Sequence, residues 1–327
     1  METKVMDIEL NYWDQLLRLR ELCKENIESQ FIALSLDTIE FVFPHDNLDV
    51  LSALLNERKV DVLLSKASFE IDGRFSSVML TDKLHAYFPE HIDIRSKNAL
   101  TLYAPLAVAQ WLQQDLPFIL VHMAQSLDGK VCTKSGSSKW IGNQENLIHA
   151  HRIRALVDGV LVGAKTARSE KPSLNVRHVK GPNPARIILC NSPTHLDELP
   201  NIENMKNYLI CNALHKNKMH RERLAFKHVK QICYHEIASN TGMSDCLVQL
   251  KREGIHSILV EGGPTTVKTF MQTNTINWLQ LHIAPMVFGS GQAFVDLPEI
   301  SSVNQACEMR NVYYSQMGDA IMVTGEL

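Results

Sequence analysis

From residue 118 onward the chain alternates short unbroken apolar runs with amphipathic stretches, and this rhythm constrains the fold more than any other feature of its 327 residues. The apolar runs lie at 118–123, 159–162, 186–190, 208–211, 231–234, 257–260 and 279–283. Helical periodicity falls between them at 144–156, 244–253 and 264–271. A strand with no polar side is covered on both faces, so the pattern predicts an α/β domain: a mostly parallel sheet flanked by helices. Such sheets bind ligands beyond the carboxyl ends of their strands. The residues that follow each apolar run are therefore the ones to read for chemistry.

The preceding segment has a different pattern. Helical spacing over 12–27 makes Trp13, Leu16, Leu17, Leu19 and Leu22 its apolar positions. Short runs follow at 31–36 and 39–43, then a helix candidate at 48–58, a strand at 60–64 and a closing helix over 100–114 that Pro105 is expected to start. This predicts a small α/β or α+β domain without a nameable catalytic constellation. The closing helical pattern stops and a new apolar run begins around 114–117, so two domains are expected, 1–115 and 116–327, each long enough to bury a core. No internal repeat is present, which excludes a solenoid.

Charge divides at the same place. Residues 1–115 carry 11 Lys and Arg against 19 Asp and Glu, a balance of −8, whereas 116–327 carry 22 against 17, a balance of +5. The acidic part is poorly suited to nucleic acid, and the basic part suits a phosphorylated small molecule. The first 22 residues lack the pattern of a signal peptide. No apolar stretch approaches the roughly 18 residues that span a bilayer, since 51–64 is interrupted by Glu57, Arg58, Lys59 and Asp61. A cytoplasmic protein that does not enter membranes is expected. Seven scattered cysteines without a Cys-x-x-Cys arrangement read as buried small apolar residues, not as disulfides or a zinc site. His149 and His151 are two apart, which on a helix turns them to different faces and disfavours a metal pair.

Three strand ends carry candidate chemistry. After 118–123 come Ser126, Asp128-Gly129 and Lys130: a hydroxyl, a turn and a mobile cation able to meet a phosphate, carbonyl or heterocycle, with a plain solvated turn as the competing reading. After 159–162 come Gly163, Ala164, Lys165 and Thr166, where small residues admit a ligand to the backbone and Thr166 offers a hydroxyl; an ordinary helix start competes. After 257–260 come Glu261-Gly262-Gly263-Pro264-Thr265, which leave helix-terminal N–H groups free for an anion. A carboxylate such as Glu261 is costly at the end of a buried strand without a partner. Together the three point to a nucleotide or phosphosugar cleft. Arg154 and Arg177 are fork-shaped donors suited to a phosphate, while a salt bridge from Arg154 to Asp158 is the alternative for the first.

In order along the chain stand Gln125-Ser126-Leu127-Asp128-Gly129-Lys130, Trp140-Ile141, His151-x-x-Arg154-Ala155, Asp158-Gly159-Val160-Leu161-Val162-Gly163-Ala164-x-Thr166, Pro172-x-Leu174-x-Val176-Arg177, Pro184-x-Arg186, Glu261-Gly262-Gly263 and Ala284-Pro285-x-x-x-Gly289. This succession resembles the pyrimidine reductase domain of riboflavin biosynthesis over about 117–327. The resemblance implies a dihydrofolate-reductase-like fold, NADPH as hydride donor, commonly a homodimer, and reduction of a ribosylaminopyrimidine 5′-phosphate to its ribityl form. It further implies Lys130 and Glu261 at the pyrimidine end and the reacting region, and Arg154 and Arg177 on the ribose phosphate. Ser126, Gly163, Thr166, Gly262, Gly263 and Thr265 would line the NADPH path. Trp140 is either a wall of the cleft or a core aromatic.

Two departures from the family pattern matter. Where the family usually carries Asp-Asp-Pro, this chain has Glu170-Lys171-Pro172, which puts a cation, Lys171, at the presumed ribose pocket. Residues 1–115 contain neither the His-x-Glu nor the Pro-Cys-x-x-Cys signature of the zinc deaminase that precedes the reductase in bifunctional relatives. The expectations are thus an NADPH-dependent reductase on the standard riboflavin intermediate or, because of Lys171, on a related pyrimidine or pteridine-like substrate. A non-catalytic ligand-binding or scaffold protein, with the acidic segment recruiting a protein partner, is the alternative of another class.

Overall fold

A computed structural model describes residues 6–26, 28–29, 31–34, 39–42, 62–66, 75–81, 84–90, 92–112, 115–190, 202, 205–212, 229–234 and 240–327. The chain divides into two compact units, Met1–Gln114 and Asp115–Leu327.

In the first unit, α1 (Met6–Leu22) begins and ends earlier than its apolar spacing predicts. Trp13, Leu16 and Leu19 are buried, at the three-residue steps that share one face of a helix. Strands β1 (Phe31–Leu34), β2 (Ile39–Val42), β3 (Val62–Ser65), β4 (Phe75–Thr81) and β5 (Leu84–Pro89) form one sheet in the order β2-β1-β3-β5-β4, antiparallel at every step. This is an α+β arrangement. Helix α2 (Ile94–Ala107) starts before the expected residue 100 because Asp93 caps it, accepting from the Ser96 amide at 3.1 Å and the Ser96 hydroxyl at 2.6 Å. Pro105 consequently lies inside the last turn and does not open the helix; its missing N–H falls where the helix is about to end. Trp13 packs edge-on to Tyr103, with ring centroids 5.9 Å apart. The helix candidate at 48–58 lies outside the described residues, as do the ends of the runs at 31–36, 39–43 and 60–64.

The second unit is built on β6 (Phe118–Ser126), β7 (Lys130–Cys132), α3 (Gln144–Leu156), β8 (Gly159–Gly163), α4 (Ala164–Glu170), β9 (Ala185–Cys190), β10 (Asn207–Asn212), β11 (Val229–Tyr234), α5 (Asn240–Arg252), β12 (Ser257–Val260), α6 (Pro264–Gln272), β13 (Trp278–Ala284), β14 (Gln292–Ala293), β15 (Arg310–Met317) and β16 (Ala320–Glu326). Nine strands form one sheet in the order β11-β10-β9-β8-β12-β6-β13-β16-β15. Every pairing from β11 to β13 is parallel, and only the β13–β16 and β16–β15 pairings are antiparallel. The mostly parallel sheet flanked by helices is therefore present. The seven apolar runs each became one of its parallel strands. The β15–β16 hairpin, which the apolar rhythm did not signal, turns at Gly318 with φ +64°, a conformation that favours glycine.

Strand alternation assigns the helices to opposite faces of this sheet. Ile119, Val121, Ile258, Val260 and Leu279 share one apolar cluster with Met243, Leu247 and Leu250 of α5 and with Val267 and Phe270 of α6. The opposite face, bearing His122, Gln280, His282 and Thr324, receives α3 through His149, whose Nε2 bonds Gln280 Oε1 at 2.9 Å. Asn143 caps α3, accepting from the Asn146 amide at 2.9 Å, and its Nδ2 reaches Met317 O and Asp319 in the hairpin. All seven cysteines are free; five are buried, but Cys233 is half-buried and Cys307, which follows a short exposed turn over 303–305, is exposed, against the expectation that all are buried. Among the described residues no helix is long and apolar enough to cross a membrane, and no His, Cys, Asp and Glu group is arranged to hold a metal ion.

Candidate active site

The three strand ends singled out from the sequence belong to neighbouring strands, since β12 lies between β8 and β6. The order of the chain places these strands far apart, and the sheet brings their carboxyl ends side by side. At their centre stands Glu261, immediately beyond β12, with its amide bonded to Leu161 O at 3.0 Å.

Glu261 meets Arg154 from the last turn of α3 in a two-point ion pair. Arg154 Nε donates to Oε1 at 2.7 Å and its terminal nitrogen to Oε2 at 2.6 Å, with both side chains only 13–16% exposed. The partner that a carboxylate at this strand end requires is thus Arg154, and Asp158 is not the residue that Arg154 pairs with. Asp158 instead accepts from the amides of His256 and Ser257 at 2.9 and 3.1 Å, fastening the start of β12. Burial opposes the charge on Arg154, but the Glu261 carboxylate outweighs it and raises the Arg154 pKa above its usual value.

A second layer surrounds this pair, and sequence reading missed most of it. The other terminal nitrogen of Arg154 donates to Asn175 O at 3.3 Å, and the Arg177 guanidinium donates to Asn175 Oδ1 at 3.2 Å. Asn175 therefore touches both arginines. His151, fully buried, accepts the Arg177 amide on Nδ1 at 3.2 Å. The signal for it was present in the three-residue step from His151 to Arg154, which places both on one side of α3.

Ser126, Asp128 and Lys130 form a tight turn. The Ser126 hydroxyl is fully buried, donates to Asp128 Oδ1 at 2.6 Å and accepts from the Lys130 amide at 2.9 Å, and its carbonyl accepts the Gly129 amide at 3.0 Å, so Ser126 is spent on the turn. Asp128 also accepts from the amides of Phe288 and Gly289 at 3.0 and 2.9 Å. The Ser126 hydroxyl and these amides bring its pKa down to about 2. Lys130, half-buried at the start of β7, forms no ion pair among the described residues.

The glycines differ in what they make room for. A Cβ on Gly163 would lie 2.5 Å from Thr266 Oγ1, and one on Gly262 would lie 2.5 Å from Thr266 Cβ, so buried Thr266 of α6 needs both positions bare. Gly263 is another case: a Cβ there would meet nothing closer than Thr166 Oγ1 at 3.8 Å. The N-termini of α4 and α6 are therefore adjacent, with open space at Gly263, and Thr265 is exposed on the first turn of α6. Amides in the first turn of a helix have no intrahelical acceptor, so this corner fits the phosphate groups of a dinucleotide.

Trp140 is 87% exposed with φ +71°, which rules out the core reading and leaves a solvent-facing aromatic. Lys171 ends α4 with φ +45°, its amide bonded to Ala167 O at 3.2 Å, and is exposed. Burial and the Glu261 carboxylate raise the pKa of the adjacent Glu170, while Lys139 opposes the shift. Glu170 thus lies in the electrostatic reach of the central pair.

A family model described as the RibD C-terminal domain matches residues 117–323. The riboflavin biosynthesis protein RibD of Aquifex aeolicus is 31% identical over 217 residues, 65% of this chain and 58% of that protein. The chain thus spans little more than half the length of that relative. From the same organism, 2,5-diamino-6-ribosylamino-4(3H)-pyrimidinone 5′-phosphate reductase is 32% identical over 180 residues, covering 53% of this chain and 79% of that protein. Among solved structures, RibD of Acinetobacter baumannii in its form 2 matches with a TM-score of 0.57 at 16% identity, over 98% of this chain and 99% of that one. The deaminase/5-amino-6-(5-phosphoribosylamino)uracil reductase of Thermotoga maritima gives 0.54 at 22% identity, over 71% and 62%. At these identities the structures establish a shared fold.

Proposed function

Because this chain belongs to the RibD C-terminal domain family, we propose that it reduces a ribosylaminopyrimidine 5′-phosphate to the ribitylamino product with NADPH. The observation that carries the reading is the convergence of the Arg154–Glu261 pair, the Arg177 segment and the adjacent α4 and α6 N-termini on three neighbouring strand ends. NADPH, when bound, supplies the hydride. Gly263, Thr166 and Thr265 would hold its phosphates, Gly163 and Gly262 allow α6 to approach, and Ser126 shapes the neighbouring turn.

The substrate side follows from charge. Opening of the ribosylamine gives an imine whose C1′ takes the hydride while the exocyclic nitrogen, which keeps its place on the pyrimidine, takes a proton from solvent. Arg154 occupies one side of the Glu261 carboxylate, whose remaining lone pairs accept from the pyrimidine edge. Lys130 supplies a donor to the pyrimidine or the reacting region, Arg177 takes the ribose phosphate, and Trp140 covers the mouth. Orientation of C1′ against the nicotinamide is the main catalytic contribution asked of these side chains. Lys171, exposed beside Glu170 in the left-handed conformation, supports a second reading in which the pyrimidine substrate is altered.

A homodimer and a cytoplasmic location are part of the same proposal. Val287, Val303, Tyr314 and Ile321 are the exposed apolar residues that a second copy would cover. Residues 1–115, without the zinc signature, are assigned no deaminase activity.

The test is oxidation of NADPH, and of NADH for comparison, by purified protein with 5-amino-6-(5-phosphoribosylamino)uracil and with its 2,5-diamino pyrimidinone counterpart. Turnover of at least one is expected, with Glu261→Gln lowering kcat/KM by about 100-fold. Higher turnover by Lys171→Asp than by wild type on the uracil compound favours altered specificity, and no oxidation with either compound sinks the reductase reading.

A further inference from the structure

The segment between α4 and β9 has no regular secondary structure over residues 171–177, yet it carries Arg177. Without a helix or strand ladder its backbone depends on individual bonds. Buried Leu174, with φ +55°, anchors its middle, and the Val176 amide donates to Asn183 Oδ1 at 2.8 Å. Two bonds then cross to α3: Arg154 to Asn175 O at 3.3 Å, and the Arg177 amide to His151 Nδ1 at 3.2 Å.

His151 is the hub of that crossing. Its ring is fully buried and stands edge-on to His178, with centroids 4.5 Å apart. Since Nδ1 accepts the Arg177 amide, the proton of the neutral ring is on Nε2, which faces the Arg154 guanidinium at 3.5 Å. One imidazole thus lies between the backbone amide of Arg177, whose hydrogen it accepts, and the side chain of Arg154, with which it makes no hydrogen bond because both facing groups are donors. Burial, followed by the charges of Arg154, Arg177 and His178, brings its pKa down to about 3, so the acceptor on Nδ1 persists through the neutral range.

We propose that His151 is a positioning residue: by accepting the Arg177 amide it holds the 175–177 segment in the register that a phosphorylated ligand needs against the Arg154–Glu261 pair. This rests on the reductase reading for the identity of the ligand, but the bond itself is testable without turnover.

The experiment uses the full chain and two variants. His151→Phe keeps an aromatic ring against His178 and removes the acceptor; His151→Asn offers Oδ1 where Nδ1 stood. Without ligand, the Arg177 amide should exchange with solvent slowly in wild type and in His151→Asn, and at least tenfold faster in His151→Phe. With NADPH and the ribosylaminopyrimidine phosphate, His151→Phe should raise KM about five- to tenfold while kcat stays within about twofold, as expected for the loss of one positioning hydrogen bond. His151→Asn should return KM to within about twofold of wild type. If His151→Phe does not fold, His151→Leu takes its place.

An unprotected Arg177 amide in wild type overturns the proposal, as do equal KM increases in both variants, which would assign His151 to packing alone. If wild type turns over neither pyrimidine, the reductase reading fails separately. The role of His151 is then decided by amide exchange and by ribose 5-phosphate affinity in titration calorimetry, where His151→Phe should lose five- to tenfold and His151→Asn should not.

Discussion

Helix α3 has two polar faces, and they handle burial in opposite ways. Toward the site, Arg154 is matched to Glu261 by two bonds, and His151 is matched to a backbone amide. Toward the sheet, His149 bonds Gln280 and Asn146 interacts with His122, but both ring nitrogens of His282 and the Gln280 amide nitrogen have no hydrogen-bond partner among the described residues. The rings of His122 and His149 stand edge to face, 5.1 Å apart. On the site face the Arg154 charge is kept by pairing with Glu261, while burial suppresses charge on the histidines of both faces. The difference teaches that polar residues on one helix can mark chemistry on one side and only a polar core on the other, and that pairing tells them apart.

Breaking the site-face pair should have the largest effect. Arg154→Met leaves Glu261 uncompensated in a largely buried place, for an expected loss of about 3–5 kcal/mol in urea denaturation and at least a 100-fold fall in kcat/KM. The double variant Arg154→Met/Glu261→Met should regain most of the stability and none of the activity. Recovery of both would remove the pair from function.

The sheet face should respond to pH. Burial pushes His122 down to about 3 and lowers His149 and His282 as well, and His151 on the site face shares this direction. An unfolded histidine titrates near 6.5, so below that pH the unfolded chain takes up protons that the folded chain refuses. Their contribution is complete above about pH 6.5 and declines as pH falls toward 3, by up to about 1.4 kcal/mol per pH unit for each histidine. Denaturation of His122→Phe at pH 7 and pH 5 should show a slope shallower by about one proton. An unchanged slope would mean that His122 titrates in the folded protein, and the contrast between the faces would weaken.

A smaller effect is expected where the two faces share a support. Asn143 both caps α3 and ties it to the β15–β16 hairpin. Asn143→Ala should cost about 1 kcal/mol and should lower stability and activity without separating them. A selective loss of activity would mean that the hairpin orients the site face alone.

Much of the fold was legible because periodicity is local. The 144–156 helix and the 257–260 strand have the bounds predicted, and the remaining parallel strands differ by a few residues at their ends. Pro105 was misplaced because the Asp93 cap, an earlier local signal, governs where that helix begins. The hairpin at the sheet edge went unread because β15 is exposed or half-buried up to its last residue and lacks an apolar run. In the site, the residue types at the strand ends were found, but their partners were not. Arg154 and Glu261 are 107 residues apart, and no spacing rule connects them.

The sequence by itself determined a parallel sheet, its motif-bearing strand ends and the charge of each segment, since these follow from side-chain period and composition. Tertiary structure alone decided that β12 lies between β8 and β6, that Glu261 takes Arg154 in place of Asp158, and that Gly262 yields to Thr266 while Gly263 remains open. The physical reason is range. Periodicity and capping act within a few residues, whereas a buried charge must be satisfied by whatever the sheet order brings within hydrogen-bond distance.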